Sequence, residues 1–473
     1  MPRISRIEPA VMLATIVQWL VLATVAGVIV GTGTSIFLLS LNYATGATAT
    51  IPLWLQMILL PVGGILNGLL LYYGYKLNKT GLGDSVIAAV HKQSGRMPLA
   101  TIAIKPVAAL ITLGFGGSAG REGPCSHIGG SLASGIGKLF GVNAELQKRL
   151  AACGVSAGFA SVFGTPIAGA IYGVEVLAIG QLRHDFLFPA IVAGVSSYEI
   201  SKFWGVPYLF YVIAPLPEFS ETLFLKTIII GIVCGGVAAL FVEAVYFART
   251  QAGRIRDRFK LWPPLMPFLG GIVLSLLIIV IPTDYLGLSL PIMDRALDGE
   301  AIPYLGFLWK IILVAITLGS GFYGGIVTPQ FVIGAIVGNV CAHFLGISPA
   351  LGAAIGLVAM VAAASNTPVA AILMGVELFG GVTGTGYVAG AVIAAYVVSG
   401  HRSVYPDQLM IYPKSSWMYG TQGLPLEQGN LHLSYGARKR LSRLQSRWRS
   451  RRNGFFRRPN GKAPDDDRRG GGA

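Results

Sequence analysis

Residues 114–129, GFGGSAGREGPCSHIG, set an arginine, a glutamate and a proline behind a glycine-rich bend, within a region otherwise too apolar to carry charge. Ionisable side chains at bilayer depth are costly, so Arg121 and Glu122 read as functional groups with partners nearby. Pro124 suits the first turn of a helix, where its missing N–H is one of the donors left unpaired anyway. The glycines ahead of it let the backbone bend and leave N–H groups facing whatever lies before the helix. Free amides and the positive end of the helix dipole make an anion site, whose first occupant can be the carboxylate of Glu122 itself.

Composition supports a membrane setting for this motif. Of 473 residues, 53% are hydrophobic and only 12% charged, with a mean hydropathy of +0.65. That is about half the usual charged fraction of a soluble protein. The 63 glycines fit helices that pack closely through small residues. Cys125, Cys153, Cys234 and Cys341 stand singly in apolar segments, with neither a disulfide framework nor a metal-site spacing. The formal charge of +15 gathers at the end, in RKRLSRLQSRWRSRRNGFFRRPNGKAPDDDRR. A basic run beside a membrane segment more often faces anionic lipid than nucleic acid, so the tail is expected on the cytoplasmic side against lipid, with no nucleic-acid partner. The N-terminus, with Arg3 and Arg6 and no small-residue cleavage site, reads as uncleaved and cytoplasmic too.

Around the motif the chain reads as two similar halves. Long apolar spans open each: 11–42 and 53–75 in the first, 223–248 and 262–282 in the second. Short, interrupted segments follow in both. The stretch 165–175, TPIAGAIYGVE, matches 367–377, TPVAAILMGVE. Pro124, Ile128 and Gly129 match Pro329, Ile333 and Gly334, and the Gly117-Ser118 bend is paired with Gly319-Ser320. Interrupted segments at corresponding places in two halves point to a transport site at the repeat interface, with half-helix N-termini aimed at an anion. The expected division is an N-terminal segment 1–10, a first repeat 11–205, a connector 206–221, a second repeat 222–412 and a largely disordered basic tail 413–473. Asp284, Asp294, Asp298 and Glu300 read as a solvated surface turn.

These motifs resemble the CLC family of chloride channels and proton-coupled anion antiporters. Gly120-Arg121-Glu122-Gly123-Pro124 matches the family's G-[KR]-E-G-P, and Gly325-Ile326-Val327-Thr328-Pro329 fits its G-x-F-x-P with valine for phenylalanine. Tyr405, in GHRSVYPDQ, resembles the family's pore tyrosine. The resemblance covers roughly residues 10–410, without regulatory cystathionine-synthase-type domains behind them. It implies an all-α polytopic membrane protein of two inverted repeats with broken, partly inserted helices. It further implies a voltage-gated type of chloride channel or antiporter, in the cell membrane, as a homodimer with one pore per subunit and no cofactor.

Carried over by position, Glu122 is the gate. Gly120, Arg121, Gly123, Pro124, Gly81, Leu82, Gly83, Gly325, Ile326, Val327 and Tyr405 surround the anion. Two departures matter. Gly81-Leu82-Gly83-Asp84-Ser85 stands where the family has a serine hydroxyl facing the anion, and Val176 stands where its antiporters carry an internal proton-relaying glutamate. Valine cannot titrate, so the expectation is passive conduction of chloride or a similar small anion, gated by protonation of Glu122. Antiport through Glu175 or a water wire is the alternative. For Glu175 and Glu377 the plain reading is helix-end carboxylates at the membrane edge, and for Arg121 an interior arginine bonded to carbonyls competes with long-range attraction for the anion.

A hydrolase reading rests on Gly116-Gly117-Ser118-Ala119-Gly120, which fits G-x-S-x-G. The strand-turn-helix setting is absent, and His91, His127 and His343 sit where structural histidines sit. The G-x-G-x-x-G of 319–324 lacks a βαβ context, so no dinucleotide is inferred.

Leu82 offers no directional donor, so discrimination among chloride, bromide and nitrate is predicted to be loose. Permeability ratios measured in reconstituted vesicles check this; sharp ratios, or an anion bonded by another side chain such as Ser85, would contradict it.

Overall fold

The computed structural model describes residues 8–49, 51–77, 85–208, 211, 219–380 and 384–440. Within them the first repeat comprises α1 (Glu8–Ala49), α2 (Leu53–Leu77), α3 (Val86–Lys92), α4 (Thr101–Gly114), α5 (Glu122–Leu139), α6 (Ala144–Phe163), α7 (Pro166–Glu175) and α8 (His184–Phe203). The second comprises α9 (Glu221–Phe259), α10 (Leu265–Leu277), α11 (Leu290–Leu297), α12 (Gly306–Gly319), α13 (Val327–Leu345), α14 (Pro349–Ser365), α15 (Pro368–Phe379) and α16 (Thr385–Val398). Among the described residues four helices are long and apolar enough to cross a membrane alone: Glu8–Thr48, Leu53–Leu77, Glu221–Phe259 and Val327–Leu345. The remaining apolar helices are short, and several begin or end inside the molecule. Such breaks are tolerated at bilayer depth only where protein satisfies the freed backbone groups.

The two halves start and stop helices by the same local chemistry. Helix α6 opens on Asn143, whose Oδ1 accepts from Leu146 N at 2.9 Å, and α14 opens on Ser348, whose Oγ accepts from Leu351 N at 3.4 Å. Both end on a left-handed residue, Gly164 (φ 73°) and Asn366 (φ 57°). A Thr-Pro pair then starts the next helix in each half, Pro166 and Pro368 occupying the first helical position. Before α5 and α13 the chain bends through Gly116 (φ 93°) and Gly321 (φ 103°). The bends are therefore paired as Gly114–Gly116 with Gly319–Gly321, three residues off the expected pairing of Gly117 with Gly319. The difference from the Thr-Pro register arises in the next helices, α6 having 20 residues and α14 17.

Glycine sets the closeness of the helix pairs around the site. A Cβ on Gly129 of α5 would collide with the carbonyl of Gly154 on α6, and one on Gly334 of α13 with the carbonyl of Gly356 on α14. With no aqueous driving force between membrane helices, contact of this kind is what associates them.

Two reciprocal contacts reveal the inversion. Glu175, at the C-terminal end of α7, accepts from Val369 N (3.0 Å) and Ala370 N (2.8 Å) at the start of α15. Glu377, at the end of α15, accepts from Ile167 N (3.0 Å) and Ala168 N (2.8 Å) at the start of α7. Each carboxylate fills the positive end of the other repeat's helix. A two-fold axis between antiparallel α7 and α15 relates the two caps. The matching glutamates thus join the repeats across this axis, a role beyond that of carboxylates at a membrane edge.

Two expectations need correction. The acidic loop is not a simple turn: it forms a 3-10 turn at Thr283–Tyr285 and then α11, and half-buried Asp294 accepts from Tyr211 Oη at 2.5 Å. The chain past 412 is structured through residue 440. There β1 (Ala178–Ile179) pairs in parallel with β2 (Leu409–Met410), β3 (Met418–Gly420) pairs with β5 (Leu431–Leu433), and β4 (Leu424–Pro425) runs antiparallel to β2. Backbone pairing of β1 with β2 holds the segment after Tyr405 against the end of α7. The basic stretch from 441 onward and most of the connector lie outside the described residues.

Removing either cross-cap strands two helix N–H groups in an apolar setting, at a cost of about 1–3 kcal/mol. Glu175→Ala and Glu377→Ala should each lower the thermal midpoint in detergent, Glu175→Ala more because Glu175 is buried and Glu377 only half so. Unchanged midpoints would contradict the capping account.

Candidate anion site

The N-termini of α5 and α13 meet head to head. Gly120 N donates to Gly325 O and Gly325 N to Gly120 O, both at 2.7 Å, an isolated antiparallel bridge on the same two-fold relation. Exact symmetry ends at the next positions: Arg121 corresponds to Ile326, and Glu122 to Val327. One repeat thus supplies a carboxylate and the other supplies an N-terminus to receive it.

Glu122 is fully buried. Its carboxylate accepts a short hydrogen bond from Thr328 N and a second from Thr328 Oγ1 at 3.1 Å. A Cβ on Gly325 would lie 2.5 Å from Glu122 Oε2, and one on Gly120 would also collide with the carboxylate. Both glycines are needed to make the seat. Gly123 packs directly on Gly325, a Cβ there falling 3.2 Å from Gly325 Cα. Pro124 is buried in the first turn of α5. What the geometry offers a negative group is backbone amide, a threonine hydroxyl and a helix dipole, with the negative group at present being the protein's own. A buried carboxylate is otherwise expensive by several kcal/mol, so the seat and the side chain are matched.

Below the glycine bridge lies a cavity of about 360 Å³. Gly123, Gly325, Ile326, Val176 and Tyr405 all line it. The structure thereby brings together the glutamate motif, the second repeat's motif, the tyrosine and the valine at the internal position. Val327 is buried in the first turn of α13. Tyr405 Oη shares a hydrogen bond of 3.1 Å with Tyr172 Oη, and Tyr172, itself fully buried, was not singled out from sequence because nothing local marks it. Ser85 also faces the cavity and donates to Asp407 Oδ2 at 2.6 Å. Gly81, Leu82 and Gly83 lie outside the described residues. Arg121 is half-buried at the cap of α5, and among the described residues its guanidinium makes no hydrogen bond to a carbonyl.

The hydrolase constellation does not assemble. Ser118 is fully buried between α4 and α5, donating to Tyr285 O (3.1 Å) and accepting from Lys310 Nζ (2.9 Å). Its partner is an ammonium that can only donate, so no base can activate the hydroxyl. Among the described residues no cluster of metal-ligating side chains occurs.

Thr328 Oγ1 contributes only to seating the carboxylate. Thr328→Val should weaken the seat by about 1 kcal/mol or more, as for other hydrogen bonds to charged groups. Anion flux through reconstituted protein at neutral pH is then expected to rise several-fold; an unchanged or lower flux in a folded variant would remove Thr328 from the competition.

Comparison with known proteins bears out the resemblance. Residues 63–400 match the family described as voltage gated chloride channel. A chloride/fluoride channel protein of Pseudomonas syringae pv. tomato is 35% identical over 423 residues, covering 88% of this chain and 91% of the relative. A voltage-gated ClC-type chloride channel of Yersinia pestis is 28% identical over 346 residues, covering 71% and 82%. Among solved structures, a CLC-type fluoride/proton antiporter superposes with a TM-score of 0.75 at 29% identity, over 83% of this chain and 98% of the other. A slow cyanobacterial Cl-/H+ antiporter, 22% identical with a TM-score of 0.68 over 80% and 94%, shares the fold. Family members are transporters and channels rather than enzymes, and this chain, a polytopic membrane protein of two inverted repeats, belongs to the CLC family of voltage gated chloride channels.

Proposed function

We propose that the protein is a proton-coupled antiporter of small halides, fluoride or chloride, in which Glu122 is both gate and proton carrier. The observation that carries this reading is the seat of the Glu122 carboxylate on the N-terminus of α13. An ionised carboxylate there competes with an anion for the same donors. Once protonated it gives up the site, so the anion and the ionised carboxylate exclude one another and anion occupancy is tied to proton loading, which is the elementary requirement for exchange. The solved antiporter superposing over most of this chain supports the coupled reading over the passive conduction expected from Val176.

Passive conduction stays as a second reading because Val176 is buried on the cavity wall and cannot titrate. The relative from Pseudomonas syringae is also described as a channel. By analogy with the family, the protein works as a homodimer in the cell membrane, with one path per subunit and both termini cytoplasmic. Gly120, Arg121, Gly123, Pro124, Gly325, Ile326, Val327 and Tyr405 are then the wall of the anion path. Annular lipid and the transported anion are its partners.

Two measurements on purified protein in vesicles test this. An outward fluoride or chloride gradient, with the membrane potential clamped and no pH gradient, should drive protons inward. A reversal potential equal to that of the anion alone, with no proton movement, would favour the channel. Glu122→Gln mimics the protonated gate. It should abolish proton movement, raise anion flux at neutral pH and flatten the pH dependence of that flux, whereas unchanged flux and pH dependence would remove Glu122 from the path.

A further inference from the structure

The antiport reading leaves a gap on the inner side: a proton reaching Glu122 from the cavity needs a titratable group, and Val176 is not one. Sequence position suggested Glu175, but its two oxygens are committed to the amides of α15. The cavity itself is lined by other candidates. Arg249 carries a guanidinium, which has donors and no acceptor. Asp407 is held by Ser85 Oγ at 2.6 Å and Lys92 Nζ at 3.5 Å. Tyr75, Tyr246, Tyr323 and Tyr405 carry phenols that ordinarily titrate near pH 10. Among the described lining residues that leaves His127, whose imidazole can both accept and donate a proton.

His127 has a partner suited to proton exchange. Lys105 Nζ, on α4, lies 3.0 Å from His127 Nε2 and 3.4 Å from Nδ1, and 5.7 Å from the centre of the Tyr323 ring. Both are nearly buried, at 3% and 7% exposure, yet both face the cavity. An ammonium has only hydrogens to offer, so the nearer ring nitrogen accepts. The repeat-related lysine makes the contrast plain. Lys310 occupies on α12 the position that Lys105 has on α4, nine residues before Gly319 and Gly114 respectively. Lys310 Nζ is saturated by Ser118 Oγ, Ser289 Oγ, Gly287 O and Tyr285 O at 2.8–3.3 Å. None of those oxygens is basic, so Lys310 is structural. Lys105 instead has a base, the His127 imidazole, among its partners. The groups facing His127 are Lys105 from α4 and Tyr323 from the segment before α13. Glu122 begins the same helix five residues earlier, about 7.5 Å along its axis and about 140° around it, so a proton passes between the two side chains through water rather than by direct contact.

We propose that Lys105 and His127 together form the internal proton station of this transporter, in place of the carboxylate that Val176 replaces. The inference rests on the antiport reading. Lys105 passes an ammonium proton to His127 Nε2, the imidazolium releases the proton from Nδ1 through water toward the Glu122 carboxylate, and Lys105 takes a new proton from a hydronium ion in the cavity. One proton enters and one leaves, the pair returns to its starting charge, and the imidazole exchanges tautomers before the next transfer. Gly123, Gly324 and Gly325 line the cavity, and Gly325 also lies against the Glu122 carboxylate.

The test measures protons moved per fluoride in vesicles clamped in potential, for wild type, His127→Gln, Val176→Glu and the two combined. The expected result is a ratio lowered at least ten-fold by His127→Gln and restored in the double variant by the new carboxylate on the same cavity wall. Val176→Glu alone should change the ratio less than two-fold, because a station already exists. A wild-type ratio in His127→Gln, or a ten-fold gain from Val176→Glu alone, would overturn the proposal. Val176→Glu decides the matter if His127→Gln fails to fold. Wild type moving no protons would instead defeat the antiport reading, and this proposal with it.

Discussion

Everything at the centre of this molecule depends on two helix N-termini held head to head by the Gly120–Gly325 backbone bridge. Inverted repetition brings two positive helix ends to one point. A strictly symmetric pair would leave an anion site with no control over it. The single substitution of glutamate for valine at equivalent positions, Glu122 against Val327, turns that site into one with a built-in competitor. Glycine at 120 and 325 is what lets the carboxylate approach the opposing helix, so the seat is as much a matter of missing side chains as of present ones.

The same repetition produces stability and asymmetric function from similar parts. Glu175 and Glu377 act identically, each capping the other repeat's helix, and both serve to join the halves. Lys105 and Lys310 start from the same position and end differently, because the loops around them differ: one meets four oxygens, the other an imidazole at the edge of a cavity. Duplicated positions keep the fold closed where they stay alike and supply chemistry where they diverge.

Much of this was legible in the chain. The Gly-Arg-Glu-Gly-Pro run, the Thr-Pro repeat and the interrupted apolar segments implied inverted repeats and an anion site, because each is a local signal of helix starts at bilayer depth. The pairing of carboxylates with distant amides was not legible: Glu175 and Val369 are 194 residues apart, and nothing near either names the other. The bend register was misread because a glycine-rich stretch offers several equivalent alignments, and only the backbone angle of Gly116 and Gly321 distinguishes them. The expectation of a largely disordered 413–473 missed β3, β4 and β5 because these strands are two or three residues long and owe their order to pairing with each other and with β2. His127 looked structural because its partner lies on another helix.

The account's central claim is that the Glu122 carboxylate and the transported anion share one seat. Anomalous diffraction from crystals of the Glu122→Gln protein grown in bromide tests it most directly. The account predicts a bromide peak within hydrogen-bond distance of Thr328 N, with the carboxamide turned away. A carboxamide still seated on Thr328, with bromide bound only elsewhere, would contradict it.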